Sequence, residues 1–180
     1  MIEDGLFASF LIEPPCTSFS AAACPSVRSY TQPLGFDRKE EKTLHCNTLA
    51  FRTFVLLKVG RRYKRPCGCE QPRRSKMMWT HFWETLRRLG FRDNIVASCQ
   101  FGSIHKKEFD FLLYLFDCIE AKCPGGHSHV KIEGRWTKGS ATYHPELGLY
   151  LAKAVRRAVL RVRRLENDEV EVLGLESLVV

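Results

Sequence analysis

The sequence predicts an α/β fold of short apolar strands flanked by helices, and three observations carry that prediction. Residues 6–12 (LFASFLI) form a continuous apolar run of the kind found in strands covered on both faces of a parallel sheet, stopped by Glu13, Pro14 and Pro15. Helical periodicity then alternates with short β-branched or aromatic segments along the rest of the chain. The length of 180 residues, with 44% hydrophobic and 27% charged residues, suits one globular domain with its own core.

Beyond the first strand, Cys16 falls where ligands and chemistry collect in open α/β sheets, just past a strand's carboxyl end. A buried structural cysteine is the plainer reading of the same residue. Residues 21–42, with Pro25, Pro33 and Gly35 and a charge run from Asp37 to Lys42, read as a long loop. Thr43 is expected to cap a helix that buries Leu44, Leu49, Phe51, Val55 and Leu56 and ends at Gly60.

The next stretch is the most basic: Arg61, Arg62, Lys64, Arg65, Arg73, Arg74 and Lys76 are opposed only by Glu70. Within it PCGCEQP reads as a strand, with Cys67 and Cys69 at alternate positions rather than at the spacing of a zinc knuckle. A solvated surface and a phosphate-contacting patch explain the charge about equally. From Ser75 a helix buries Met78, Phe82, Leu86 and Leu89, widened by Trp79 and Trp83. Residues 94–99 and 108–116 read as strands joined by QFGSIHKK, which holds Lys106 and Lys107.

Residues 117–139 are irregular and carry Cys118, Cys123, His127 and His129 in the pattern C-x4-C-x3-H-x-H. All four are residue types zinc accepts, but the spacing matches no common zinc module, so the expected metal content is none, with Cys123, His127 and His129 as the weak candidates. Histidines that merely order the loop are the alternative. Pro145 opens a last helix whose stripe of Leu147, Leu151, Val155, Ala158, Val162 and Leu165 opposes Lys153, Arg156, Arg157, Arg161 and Arg164. The domain is drawn at 1–165, with 166–180 a tail of little structure.

The net charge of +8 favours a polyanionic partner, nucleic acid above all, over an acidic or membrane-embedded one. No apolar run reaches the ~20 residues a membrane helix needs. Glu3 and Asp4 stand where a signal peptide would be basic, and the eight cysteines sit in apolar or strand-like settings, so the chain is read as reduced, intracellular and not secreted.

Three motifs together resemble the second half of the cytosine-5 DNA methyltransferases. That family has a Pro-Cys-Gln loop with a following Phe-Ser, then Glu-Asn-Val or Glu-Asn-Pro, then Tyr-Gly-x-Pro-Gln-x-Arg-x-Arg. Here stand Pro15-Cys16-Thr17 with Phe19-Ser20, then Glu70-Gln71-Pro72, then Phe101-Gly102-Ser103-Ile104-His105-Lys106-Lys107. The likeness is closer to divergent methylase-like segments of retroelement-type polyproteins of unicellular algae, and it spans residues 6–159. It implies a partial Rossmann-like methyltransferase sheet made of the later strands.

The resemblance also implies roles. Cys16 would add as thiolate to C6 of a flipped-out cytosine, Glu70 would donate to N3 and contact the exocyclic amine, and S-adenosylmethionine would be the methyl donor. A loop in basic surroundings is expected to lower the Cys16 pKa, as such a nucleophile needs. Thr17, Gln71, His105, Lys107 and Phe109 depart from the pattern, and loss of the two family arginines removes bidentate anchoring. Only five residues precede Leu6 and no G-x-G turn occurs elsewhere, so the strands that hold the cofactor are expected to be lacking, or supplied in trans. The functional expectation is a truncated or degenerate DNA methyltransferase-like chain, inactive alone, with DNA favoured over RNA. The alternative is a non-catalytic basic nucleic-acid-binding module, with zinc-dependent folding through Cys123, His127 and His129 as a further variant of it.

Overall fold

A computed structural model describes residues 6–132 and 143–176; residues 133–139 of the irregular segment and 177–180 of the tail lie outside the described residues. The elements run β1 (Phe10–Ile12), α1 (Glu41–Arg62), β2 (Cys67–Pro72), a 3-10 turn (Lys76–Trp79), α2 (His81–Arg88), β3 (Arg92–Ala97), a second 3-10 turn (Ser98–Phe101), β4 (Glu108–Tyr114) and α3 (Pro145–Glu176). The class is mixed α/β, with a four-stranded sheet in the order β1-β2-β4-β3. Only β1 and β2 are parallel; β4 runs antiparallel to both β2 and β3.

Side chains alternate across this sheet and separate two cores. On one side Phe19, Cys46, Ala50, Leu57, Cys67, Cys69, Trp83, Leu86 and Leu112 pack between the sheet, α1 and α2. On the other, Val96, Phe109, Phe111, Leu113, Ile119, Leu147, Leu151 and Ala154 pack beneath α3. The alternation of β4 decides the division, because Phe109, Phe111 and Leu113 point one way and Leu112 the other. Cys67 and Cys69 fall on one face as expected of alternate strand positions, and all eight cysteines are free thiols.

Several expectations need correction. The first strand is three residues long, half-buried and at the sheet's edge, not covered on both faces, because its only strand partner among the described residues is β2. The cap of α1 is Glu40, whose carboxylate accepts from the backbone N–H groups of Lys42 and Thr43, while Thr43 lies inside the helix and is buried.

Helix α1 is also rotated from its expected face. Thr43, Cys46, Ala50, Thr53, Leu57 and Gly60 are buried, and Leu44, Phe51, Val55 and Leu56 are exposed. Most of the buried residues are small, and at Gly60 the helix lies close on the sheet: a Cβ there would stand 2.7 Å from Cys67 Sγ and 2.8 Å from Phe10 Cζ. Finally, α3 continues to Glu176, so the boundary drawn at residue 165 falls within a helix. Its buried stripe is Leu147, Leu151, Ala154, Ala158 and Val162, with Leu165 exposed. No helix among the described residues is long and apolar enough to cross a membrane.

Candidate functional site

The parallel pairing of β1 with β2 sets Ile12 beside Cys69, so the residues that follow each strand come out at the same end of the sheet. Cys16 follows β1, and Glu70 occupies the carboxyl-terminal half of β2. The segment between Pro14 and Ser20 is fastened to β2 and its exit at two points. Gln71 Nε2, fully buried, donates to the Pro14 carbonyl at 2.8 Å, and the Lys76 backbone N–H donates to the Phe19 carbonyl at 2.8 Å. Ser75 Oγ in turn donates to Gln71 Oε1 at 2.9 Å, which fixes the orientation of the amide.

A third fastening comes from Arg28, which is 1% exposed. Its guanidinium donates to Ser18 Oγ at 2.8 Å, to Asn47 Oδ1 at 2.9 Å and to the Pro33 carbonyl at 2.7 Å, and lies 3.8 Å from the centre of the Phe19 ring. The loop bearing Cys16 is thus tied to α1 as well as to β2. The Ser20 N–H donates to the Cys16 carbonyl at 2.7 Å and closes the turn. Cys16 itself is half-buried at its middle.

Electrostatics distinguish the groups at this end. The Glu70 carboxyl is pushed up to about 7, first by burial and then by the Glu13 carboxylate, with Lys107 and the Tyr143 hydroxyl pulling the other way. Burial, together with Glu70 and Glu13, raises the Tyr143 phenol. Neither Glu70 Oε1 nor the Tyr143 hydroxyl completes a hydrogen bond among the described residues, although each is close enough to shift the other's proton equilibrium. A buried carboxyl oxygen without a partner is costly in a folded protein.

The Cys16 thiol is pushed up, by burial and then by the charge of Glu70, with Lys107 opposing. The expected lowering is therefore absent: burial raises this half-buried thiol, and the charge of Glu70 adds to the rise more than Lys107 opposes it. Cys46 is the thiol whose pKa falls: burial raises it, but hydrogen bonds with Ser18 and Thr17 and the charge of Arg28 outweigh that.

The predicted basic patch is divided. Arg73, Arg74, Lys106 and Lys107 gather at the end that carries Cys16 and Glu70, where the Arg73 N–H donates to the Glu108 carbonyl at 2.9 Å. Arg61, Arg62, Lys64 and Arg65 precede β2 at its opposite end, about 20 Å away for a six-residue strand. Several of these charges are engaged within the protein. Arg61 Nε donates to the Leu89 carbonyl at 2.7 Å, Arg65 pairs with Glu166 at 3.2 Å, and Arg73 pairs with buried Asp110 at 2.8 Å. Lys76 is buried, its Nζ donating to the Ser20 carbonyl at 3.2 Å; it fastens the loop and is withdrawn from any phosphate.

Cys123, His127 and His129 do come together, in company with Cys99 from the turn after β3, and Cys118 is exposed and stands outside the group. To the three weak candidates the fold adds a residue 24 positions before Cys123. Arg28, Glu13, Tyr143 and Cys99 carry no motif, and no local signal singles them out.

Comparison with known families, curated proteins and solved structures finds no match. The site must be read from its own chemistry.

Proposed function

We propose that this chain is a DNA cytosine-5 methyltransferase-like unit that supplies base recognition and the thiol, but not the cofactor cradle. The observation that carries the reading is Glu70: buried, its charge felt by Cys16, with an Oε1 that has no partner among the described residues and a carboxyl pushed up to about 7. Near neutrality such a group is partly protonated, so it can donate O–H to a ring nitrogen while its other oxygen accepts from an exocyclic amine. Those are the two edges that a cytosine offers. Donation to N3 draws electron density from C6, where a thiol can add.

The same contact helps the nucleophile. Charge on Glu70 is one cause of the raised Cys16 pKa, so a base that keeps Glu70 protonated removes that cause and eases thiolate formation. Lys107, whose charge favours the ionised form of both groups, stays at hand. Arg74 and Lys106 would face phosphate around the entrance.

S-adenosylmethionine would supply the methyl group for C5 when bound. Among the described residues no strand leads through a glycine-rich turn into a helix, so the residues present do not fit that cofactor. Strands to hold it would pair with the edge of β1 that has no strand partner among the described residues, from elsewhere in the protein or from a partner.

A test that needs no cofactor follows from the chemistry. Thiol addition at C6 makes C5 basic, so DNA labelled with tritium at cytosine C5 is expected to release tritium to water in the presence of the chain. Cys16→Ser and Glu70→Gln should each abolish release. Absence of release from DNA that the protein demonstrably binds, or tight calorimetric binding of S-adenosylmethionine by this chain, would overturn the proposal.

The raised Cys16 pKa favours a second reading, a non-catalytic basic nucleic-acid-binding module. On that reading Cys16→Ser leaves DNA binding untouched and tritium release never occurs.

A further inference from the structure

The segment after β4 has no regular secondary structure from residue 115 to residue 132, yet it follows a defined course. Ala121 bridges to β3, accepting from the Ala97 N–H at 2.7 Å and donating to the Ile95 carbonyl at 2.9 Å. Val130 bridges to the turn between β3 and β4, its N–H donating to the Ile104 carbonyl at 2.9 Å. Between these bridges little apolar surface is buried; Cys123 and His129 are half-buried and His127 is exposed. Something other than a hydrophobic core must hold the stretch between them.

Four side chains meet there. The sulfurs of Cys99 and Cys123 and one ring nitrogen each of His127 and His129 all lie within 4.8 Å of one another. Cys123 Sγ stands 3.9 Å from His127 Nε2 and 3.7 Å from His129 Nε2. A tetrahedral zinc with bonds of about 2.3 Å to sulfur and 2.0 Å to nitrogen spaces its ligand atoms roughly 3.3–3.8 Å apart. The group needs only a slight contraction to reach that spacing.

The surroundings are built for ligation. Pro124 is followed by Gly125 and Gly126, both left-handed at φ 76° and 73°, and this turn brings His127 back onto Cys123. His127 Nδ1 lies 3.0 Å from the Gly125 carbonyl, so its N–H belongs there and Nε2 is left with a lone pair directed at Cys123. That outer hydrogen bond is the device that orients metal-binding histidines. Cys99 is held from the other side by a one-turn 3-10 helix ended by left-handed Gly102.

We propose that Cys99, Cys123, His127 and His129 form a structural zinc site. Four protein ligands leave no open position, so the metal would brace the fold and not perform chemistry. It would clamp the irregular segment onto the turn after β3. That same turn holds Lys107, since Ser98 and Lys107 exchange backbone and side-chain hydrogen bonds at 2.8 Å and 3.2 Å. The site stands independently of the methyltransferase-like reading.

The full chain purified under reducing conditions is expected to carry one zinc per molecule by elemental mass spectrometry. Exchange for cobalt should give the intense visible bands of a tetrahedral ion and a thiolate-to-cobalt charge-transfer band of two-sulfur strength, a readout that needs no variant. Cys99→Ser and His129→Ala should each weaken zinc binding at least about 100-fold, more than loss of an outer partner does, and Cys118→Ser should leave it unchanged. Chelation should open residues 117–132 to protease. Reduced protein that takes up no zinc on titration, cobalt bands of octahedral weakness, unchanged binding in Cys99→Ser, or a Cys99–Cys123 disulfide in freshly isolated protein would each overturn the assignment.

Discussion

Glu70 sits at the centre of the site because β2 carries it into the sheet interior while nothing among the described residues satisfies its Oε1. The folded state holds its carboxyl at about 7 against an ordinary 4.5, so between those values the folded chain keeps a proton that the unfolded chain releases. Stability therefore falls as pH rises through that window, by up to about 3 kcal/mol once both states are ionised. Glu70→Gln removes the ionisation without changing shape. We expect this variant to be more stable than the parent at pH 8, and nearly equal to it at pH 4, in urea unfolding; an equal difference at both values would count against the burial argument. At this scale the family resemblance singled out Cys16 and Glu70, and the parallel pairing of β1 with β2 sets both toward one end of the sheet. Arg28 was not legible, since a lone arginine in a polar loop reads as solvated until Ser18, Asn47 and Phe19 are seen to surround it. Tyr143 and Glu13 stayed hidden for the same reason: their roles depend on what packs beside them.

Helix α1 shows how contact distance overrides an apolar pattern. Its existence was legible from a long stretch without breakers, and its end near Gly60 was placed within two residues. Its face was not. Leucine and phenylalanine positions suggested a buried stripe, but the buried face carries mostly small side chains with Leu57 among them, and at Gly60 the helix comes close enough to the sheet that a Cβ would collide. Gly60→Ala should then destabilise the fold by about 1–3 kcal/mol through overpacking against Cys67 and Phe10. Leu44→Gln, on a side chain 54% exposed, should change stability by no more than about 0.5 kcal/mol. Thermal or urea unfolding of the two variants decides between the faces, and a reversed order would restore the apolar stripe as the buried one. The 3-10 turn Lys76–Trp79 also belongs to this scale. It interrupts what reads as one helix from Ser75 and leaves Trp79 exposed, edge-on to Tyr30 at 5.5 Å.

For the molecule as a whole, the sheet sorts the basic residues that the sequence runs together. Arg74 and Lys106 are exposed at the Cys16 end, and Arg62 is exposed at the other. If nucleic acid docks over the site, Arg74→Ala with Lys106→Ala should weaken DNA binding and reduce the slope of log affinity against log salt by about 0.9 for each lost duplex phosphate contact. Arg62→Ala should leave both unchanged. Equal effects from the two ends, measured by fluorescence anisotropy across a salt series, would show that the charge acts diffusely and not at this site.

What the sequence determined by itself was local. The strand-loop-helix succession, the ending of β2 at Glu70-Gln71-Pro72 and the onset of α3 at Pro145 all follow from periodicity, breakers and residues adjacent in the chain. The tertiary structure decided what depends on separation in space: which face of α1 is buried, which basic residues share an end, that Gln71 and Arg28 hold the loop, and that Cys99 joins Cys123, His127 and His129. The physical reason is the range of the forces involved. Backbone preferences and side-chain alternation act over a few residues, whereas burial, charge and ligand geometry act between neighbours that only the folded sheet brings together.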